Sequence, residues 1–197
     1  MPTAMTRSFV SSASPVNDMT DMVGANATGA FAMAALDVEL HQLLQKAIES
    51  YGPGLLLTIN ANLSYPLLSP PASDAVLLLQ RIWTSDALHY PVSGRKLKPL
   101  TTWTQQLLVE GQAVITEGRA QIAQHFSDHA TITGMGLHSV INMPLCDEAG
   151  RCFASINLLS PMPVWPDSIR SNMQMWCRDA MPAVRRYCEI LRSSTLT

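Results

Sequence analysis

The stretch from Gly136 to Leu159 decides the fold, and it reads GLHSVINMPLCDEAGRCFASINLL. Two mainly apolar runs, His138 to Leu145 and Arg151 to Leu159, flank the turn segment Asp147 to Gly150. Such runs, separated by a short turn, are typical of a β-hairpin. Gly150 suits the turn because glycine adopts positive φ angles without steric cost. The stretch therefore predicts two antiparallel strands.

Upstream of the hairpin, the pattern predicts further strands and short helices. Residues 61–73 are rich in Pro and Ser, and residues 85–99 include Tyr90-Pro91, Ser93-Gly94 and Pro99, so both are expected to be irregular. Outside these two segments, the predicted elements are a strand over Gly54–Asn60, a strand over Ala75–Thr84, a helix over Thr101–Glu110 capped by the Thr101 hydroxyl, an edge strand over Ala113–Ile115 and a helix over Gly118–Phe126.

Two longer amphipathic helices are predicted at the two ends of the domain. Apolar residues recur every three or four positions from Leu36 to Tyr51, and Gly52-Pro53-Gly54 ends that pattern. A second stripe begins after Asp167 or Ser168 and includes Pro182, which is expected to kink or interrupt the helix near Asp179. The second stripe consists of Ile169, Met173, Trp176, Ala180, Val184, Tyr187 and Leu191.

The composition predicts one folded α+β domain. The chain has 197 residues, of which 47% are hydrophobic and 14% charged, and its formal net charge is −2. A chain of this length buries roughly two thirds of its unfolded surface without disulfides or metals. Helices packed on a mostly antiparallel sheet make an α+β architecture. We expect the domain to occupy residues 36–192, between a flexible or partly helical tail (1–35) and a short C-terminal tail (193–197).

Several partners and locations are excluded by what the sequence lacks. The densest basic run, Arg95 to Lys98, is too short to form an electrostatic footprint for nucleic acid. The sequence contains no run of about 18 apolar residues, which is the length that a membrane span needs. Residues 1–36 lack the basic end and compact apolar run of a secretory signal. We therefore expect a cytoplasmic protein that binds neither nucleic acid nor membranes.

The hairpin resembles the C-terminal hairpin of GAF domains, which has a Gly-x-x-Ser start, a strand ending in Pro, a tight turn and an Asn-Leu-Leu type strand end. The segment from Trp103 to Val114 resembles the helix, glycine and short strand that precede this hairpin in the family. Arg81–Ser85 and Tyr90–Gly94 resemble parts of small stand-alone GAF proteins. The matching hairpin residues are Gly136, Ser139, Pro144, Gly150, Asn157 and Leu158.

The resemblance implies a fold and a class of function. It implies a PAS-related, six-stranded antiparallel sheet with helices packed on it and a small-molecule pocket between the sheet and overlying loops. It also implies a sensory or ligand-binding regulatory module rather than an enzyme, with terminal helices that pair two chains as a homodimer. The Asn-Lys-x-Asp-Glu set of cyclic-nucleotide-binding members and the Cys-His dipeptide of bilin-binding members are absent from the sequence. We expect an unidentified small molecule, and neither a cyclic nucleotide nor a bilin.

Aromatic residues are the main candidates for lining such a pocket. Trp83, Tyr90 and Trp103 are predicted to meet around a cavity, and in the competing interpretation Trp103 is core and Tyr90 lies on the surface. Because alternate strand residues face opposite sides, Ile82 and Trp83 are expected on opposite faces of their strand. The predicted ligand-binding residues are Trp83, Tyr90, Trp103, His125, His138, Ser139 and Asn157.

A metal site is not expected, although one histidine pair has a suitable spacing. His125 and His129 are four residues apart, which places two imidazoles on one face of a helix. Ser127-Asp128 indicates that this helix ends near Phe126, and the sequence supplies no defined third ligand. We predict no metal.

Two further functions remain open. A structural dimerisation or protein-interaction domain is expected if Trp83, Trp103 and Met143 fill the pocket. The resemblance also implies a cysteine-dependent methionine sulfoxide reductase as an alternative, since a relative with GAF architecture reduces free methionine sulfoxide with cysteines. Here Cys146 and Cys152 flank the hairpin turn and are predicted to lie opposite each other.

Overall fold

A computed structural model describes residues 16–67 and 71–193, with side chains described from residue 29 onward. Helices lie at both ends of the described chain, and the strands lie between them. The elements are α1 (Val16–Tyr51), β1 (Leu56–Asn62), β2 (Val76–Thr84), β3 (Arg95–Pro99), α2 (Thr102–Thr104) running into a π-helical turn (Gln105–Val109), β4 (Val114–Glu117), α3 (Gly118–His125), α4 (His129–Gly134), β5 (Ser139–Cys146), β6 (Cys152–Ser160) and α5 (Ile169–Ser193).

The strands form one six-stranded sheet in the order β3-β2-β1-β6-β5-β4. Every neighbouring pair is antiparallel. β5 and β6 are the hairpin predicted from the sequence, and β1 pairs with β2 on one side and with β6 on the other. The predicted α+β fold with a six-stranded antiparallel sheet is confirmed.

One face of the sheet is covered by α1 and α5, which also pack on each other. Leu36 and Leu40 of α1 are buried in one cluster with Met173 and Val184 of α5 and with Ile59 of β1. Burying a side chain of this size contributes about 1.5–3 kcal/mol. The apolar stripes of both helices therefore have their partners within the same chain.

α1 is longer than its apolar stripe predicted. Residues 16–35, assigned to a tail, form the first half of this helix, whereas residues 1–15 and 194–197 of the predicted tails lie outside the described residues. Alanine has the highest helix propensity, and Ala32 is buried where α1 meets the core. Among the helices of the described part, none combines the length and apolar character that a membrane span needs.

Pro182 was predicted to kink or interrupt the last helix, and it does not interrupt it. α5 is continuous from Ile169 to Ser193, with Pro182 inside it. Ala180 and Val184, on either side of the proline, are buried in the core cluster. Because most helical stability in a protein comes from packing of an apolar face, these contacts hold the helix together at the one position that lacks a backbone donor.

One strand falls in a segment that was predicted to be irregular. β3 lies within residues 85–99, and α4, which was not predicted, follows α3 after a short break. β3 is an edge strand, and charged side chains are common on edge strands because they discourage pairing with other chains. Along its sequence, Arg-Lys-Leu-Lys-Pro, exposed and half-buried residues alternate. Leu97 is one of the exposed residues, at 71%.

The expectation that Ile82 and Trp83 lie on opposite faces of β2 is wrong. Ile59 pairs with Trp83 and the next residue, Asn60, pairs with Arg81, so Ile82 is an extra residue in a β-bulge. Both Ile82 and Trp83 consequently pack in the cluster under α1 and α5. The bulge also returns Arg81 to the opposite face of the sheet, opposite Asn60.

Candidate functional site

A cavity of about 50 Å³ lies between the second face of the sheet and the segment that carries α3 and α4. An outer groove of about 470 Å³ borders this cavity. Lys96, Lys98, Trp103 and Asp128 belong to the walls of both spaces. The inner cavity is lined by Thr58, Asn60, Leu79, Arg81, Tyr90, Lys96, Lys98, Trp103, Phe126, Asp128, Ile132, Val140, Asn142, Asn157 and Leu159.

A chain of hydrogen bonds crosses the floor of the cavity. The Trp103 indole N–H donates to Oδ1 of Asn142 at 3.2 Å, and Asn142 Nδ2 donates to Oδ1 of Asn157 at 2.7 Å. Asn157 Nδ2 then donates to Oγ1 of Thr58 at 3.1 Å. Strand register causes this arrangement, because Asn157 stands directly opposite both Asn142 and Thr58. The floor is therefore a polar surface whose groups already have partners.

Positive charge outweighs negative charge in the cavity wall. Arg81, Lys96 and Lys98 line it, and Asp128 is the acidic group among the lining residues. Lys96 Nζ lies 2.9 Å from Oδ2 of Asp128. Burial opposes ionisation of Asp128, but this hydrogen bond and charge lower its pKa below the ordinary value. Burial, followed by the charge of Lys96, lowers the pKa of Lys98, whose Nζ lies 5.2 Å from the centroid of the Trp103 ring.

Arg81 and Tyr90 form a second buried polar pair. The Arg81 guanidinium carbon lies 4.8 Å from the centroid of the Tyr90 ring, and Nη1 donates to the carbonyl of Pro91 at 3.1 Å. Both side chains are largely buried, at 7% and 6% exposure. Arg81 Nε lacks a hydrogen-bond partner among the described residues, whereas the Tyr90 hydroxyl interacts with the Asp128 carboxylate. A donor such as Nε costs about 1–3 kcal/mol when it is buried without a partner.

The family model of the GAF domain matches residues 37–184, which is most of the chain. The chain belongs to the GAF domain family. This agrees with the resemblance of its hairpin and with the observed order of strands. No sequence among the curated proteins matches the chain significantly.

Three solved structures share the fold of this GAF domain. The GAF domain region of a putative membrane protein from Geobacter sulfurreducens PCA is 10% identical, with a TM-score of 0.55 over 79% of this chain and 97% of that one. The GAF domain of a two-component sensor histidine kinase from Bacillus halodurans is 9% identical, with a TM-score of 0.53 over 80% and 97%. A far-red cyanobacteriochrome photoreceptor is 9% identical, with a TM-score of 0.53 over 87% and 94%. At these identities the likeness concerns the fold.

Three of the seven predicted ligand-binding residues meet in the cavity of the GAF domain. Tyr90, Trp103 and Asn157 line it, and their positions come from a loop, from α2 and from β6. Trp103 and Asn157 belong to the hydrogen-bonded floor. Their contact with a ligand stays a prediction.

Trp83 lies away from the cavity, on the face of the sheet that α1 and α5 cover. Its indole N–H donates to Oδ1 of Asp37 in α1 at 2.9 Å. The β-bulge at Ile82 is the cause, because it places Trp83 on the side of the sheet opposite Arg81. Met143 packs in the same cluster under the helices. Of the three residues predicted to fill the pocket, only Trp103 lies at it.

The predicted serine and histidines also lie outside the inner cavity. Ser139 is buried at the start of β5, where its hydroxyl donates to the carbonyl of Met162 at 2.7 Å. His138 precedes this strand and is half-buried. His125 lines the outer groove, with Nδ1 3.1 Å from the Thr116 hydroxyl. His125 ends α3 and His129 begins α4, so the two histidines do not share a helix, and no cluster suited to a metal occurs among the described residues.

Sequence reasoning missed the charged residues of the cavity. Lys96 and Lys98 belong to the basic run that was considered only as a nucleic-acid footprint, and Asp128 was interpreted as a loop residue. For Lys96 and Lys98 the available signal was their spacing of two residues within Arg95–Pro99, because alternate residues of a strand share a face. Arg81 offered no such signal, since the bulge next to it decides which way it points.

Cys146 and Cys152 lie opposite each other at the end of the hairpin, as predicted. Both are free thiols. Hydrogen bonding between them lowers the pKa of Cys146 and raises that of Cys152, which is also more buried. Neither cysteine is among the residues that line the inner cavity. A reductase role for this pair stays a prediction.

Proposed function

We propose that this GAF domain is a regulatory module that binds a small molecule in the cavity over the polar face of its sheet. The observation that carries the proposal is Arg81, a cavity-lining side chain that is only 7% exposed and whose Nε lacks a hydrogen-bond partner within the described residues. Buried polar groups without partners are rare in folded proteins. A ligand that hydrogen-bonds to Nε removes the cost of leaving it unpaired, so the cavity favours an occupied state.

The Lys96–Asp128 ion pair connects the cavity wall on β3 to the segment that carries α3 and α4. Lys96 lies on edge strand β3, and Asp128 lies between α3 and α4. A ligand that interacts with either residue changes the balance of this contact. We propose that binding is transmitted by a shift of the α3–α4 segment relative to β3, because a ligand biases an equilibrium only through contacts that differ between the two states.

A homodimer through the outer side of α1 is part of this proposal. Phe31 and Val38 are seven residues apart in α1, so they lie on one face of the helix. Both are exposed, at 74% and 54%. Phe31→Gln combined with Val38→Gln should shift the sedimentation coefficient from dimer to monomer. Leu88→Gln, which changes an exposed apolar residue in a loop, should not; equal behaviour of both variants would contradict this surface.

A structural interaction domain is the second candidate, and the small size of the inner cavity favours it. The cavity measures about 50 Å³, and Trp103 and Phe126 form part of its wall. Their ring centroids are 5.8 Å apart in an edge-to-face arrangement. In this alternative the aromatic rings replace a ligand, and the domain acts only through its surfaces.

Native mass spectrometry of freshly purified protein, compared with its denatured mass, tests the two candidates. We expect an additional non-covalent mass that disappears on denaturation. Exchange of that mass for added compounds identifies the ligand class. If no additional mass is found and neither charged nor neutral small molecules raise the melting temperature, the binding proposal is wrong and the interaction domain is favoured.

A further inference from the structure

We propose that the ligand is a small organic carboxylate with one negative charge, bound with its charged end at Arg81 and Lys98 and its apolar end against Ile132 and Val140. This inference rests on the proposed function, since it names the ligand class of the same cavity. Three observations support it: the net positive charge of the lining residues, the donor among them that has no partner, and the small volume of the cavity.

The charge of the lining calls for an anion. Arg81, Lys96 and Lys98 supply three positive charges and Asp128 one negative charge, although the whole chain has a formal charge of −2. Asp128 is bound to Lys96, and within the described residues no ion pair is made by Arg81 or Lys98. Like charges in a partly buried wall repel each other, and the charge of Lys96 contributes to lowering the pKa of Lys98. An anion in the cavity offsets this repulsion.

The unpaired donor beside the cavity is suited to a carboxylate. Arg81 Nε is a donor, and a planar guanidinium matches the geometry of a carboxylate. The Tyr90 hydroxyl interacts with the Asp128 carboxylate, so Arg81 Nε is the unpaired donor at this side of the cavity. Lys98 adds an ammonium group on the neighbouring side of the wall.

Part of the lining is apolar. Ile132, Val140 and Leu159 belong to one apolar cluster and line the cavity, whose volume is about 50 Å³. A water-sized position needs roughly 10–15 Å³, so the ligand has only a few non-hydrogen atoms within the inner cavity. A branched aliphatic acid of four or five carbons fits this description.

Asp128 argues against a doubly charged anion. Its carboxylate lines the same cavity and interacts with Lys96 and Tyr90. A phosphate dianion brings a second negative charge close to this carboxylate. A monoanion keeps one charge for Arg81 and Lys98 and leaves the apolar end free of charge.

Binding of matched acids and amides tests the inference. Isobutyrate and isovalerate should bind the purified protein in calorimetric titrations and raise its melting temperature, whereas isobutyramide and isovaleramide, which have almost the same shape without the charge, should bind at least about tenfold more weakly. Inorganic phosphate and sulfate at equal ionic strength serve as dianion probes, and we expect them not to compete with isobutyrate.

Two variants on the same strand provide the matched control. Lys98→Gln should weaken isobutyrate binding at least about tenfold, because it removes a cation from the wall. Arg95→Gln removes a positive charge from the same strand but at a residue whose side chain donates to Gln80 and does not line the cavity, so binding should be unchanged. Circular dichroism and urea unfolding establish that both variants are folded.

The outcomes separate this inference from the proposed function. Equal binding of acids and amides, displacement by phosphate, or equal effects of Lys98→Gln and Arg95→Gln would overturn the carboxylate while leaving a ligand-binding cavity. Absence of any binding, neutral compounds included, together with a native mass equal to the denatured mass, would overturn both.

Discussion

Asn142 donates its side-chain amide to Oδ1 of Asn157 at 2.7 Å, across neighbouring strands of the hairpin. The two residues are register partners and are almost fully buried. Asn157 in turn donates to Thr58 in β1. One asparagine thus connects three strands of the sheet below the cavity, which ties the shape of the binding floor to the stability of the fold.

Replacing Asn157 should therefore destabilise the protein. In Asn157→Ala the amide of Asn142 and the hydroxyl of Thr58 lose a partner in a buried position. We expect the free energy of unfolding to fall by about 1–3 kcal/mol, the cost of leaving a buried polar group unsatisfied. Urea unfolding followed by circular dichroism measures this change.

Asn60 provides the control for this substitution. It lines the same cavity from β1, is only half-buried, and forms no side-chain hydrogen bond to another described residue. Asn60→Ala should change the free energy of unfolding by less than about 0.5 kcal/mol. Similar losses for both variants would mean that the hydrogen-bonded floor does not stabilise the sheet.

Replacing Trp83 should affect stability alone, whereas replacing Trp103 should affect ligand binding. Trp83→Phe removes the hydrogen bond to Asp37 on the helix-covered face, so we expect a loss of about 1 kcal/mol in stability and no change in ligand binding. Trp103→Phe removes the indole N–H that donates to Asn142 at the cavity, and it should weaken binding. Native mass spectrometry and urea unfolding distinguish the effects; a loss of bound mass in Trp83→Phe alone would place the ligand elsewhere.

Asp147 should make the stability depend on pH in the acidic range. Burial raises its pKa, but the backbone N–H and guanidinium of Arg151 and the Tyr65 hydroxyl outweigh burial and lower the pKa of Asp147 to about 2. The unfolded chain has an aspartate pKa of about 3.9. The stabilising contribution of Asp147 is thus fully present above pH about 4 and is lost as the pH falls towards 2.

The variant Asp147→Asn tests this contribution. It keeps the size of the side chain and removes the charge that interacts with Arg151. We expect a less stable hairpin at neutral pH and a smaller loss of stability between pH about 4 and 2 than in the unmodified protein, as linkage requires. Parallel pH profiles of the two proteins would contradict the assignment.

Two glycines with similar backbone angles should respond differently to alanine. Gly111 has a φ of +64°, and a Cβ there would lie 2.9 Å from Sγ of Cys146. Gly118 has a φ of +77°, but a Cβ there meets no described atom within 4 Å. Gly118→Ala should cost about 1–2 kcal/mol through backbone strain alone, and Gly111→Ala about 1–3 kcal/mol more through overpacking. Equal melting temperatures would contradict this difference.

Cys146 should be the most reactive of the four thiols. It is half-buried, and its hydrogen bond with Cys152 lowers its pKa. Burial raises the pKa of Cys177 and of Cys188 to about 12, and the pKa of Cys152 is raised as well. Because the thiolate is the reactive form, iodoacetamide at pH 8 should modify Cys146 first, as peptide mass spectrometry will detect.

Variants at the cysteine pair connect this chemistry to the reductase hypothesis. Cys146→Ser should remove the fast phase of alkylation, and Cys177→Ser should not. If Cys152 reacts as fast as Cys146, the asymmetry between the two thiols is wrong. Turnover of free methionine sulfoxide that disappears in Cys146→Ser would support the reductase, and turnover that persists in the variant would exclude a role for this thiol.

Local sequence patterns predicted the elements that are specified by residues close together in the chain. The hairpin from Gly136 to Leu159 was predicted because turn residues separate two apolar runs. The cap at Thr101 was predicted because its hydroxyl accepts from the first helical turn, as it does from the Thr104 backbone. The buried stripe of α5 followed from helical periodicity, which depends on near neighbours in the chain.

The sequence by itself determined an α+β fold of the GAF family, with its hairpin, its antiparallel strands and the apolar faces of its long helices. The tertiary structure alone decided which side chains meet at the cavity. The bulge at Ile82 turns Arg81 towards it and Trp83 away, and β3 brings Lys96 to Asp128, 32 residues further along the chain. Strand pairing and bulges arise from contacts between distant segments, so the pattern within any one segment does not determine them.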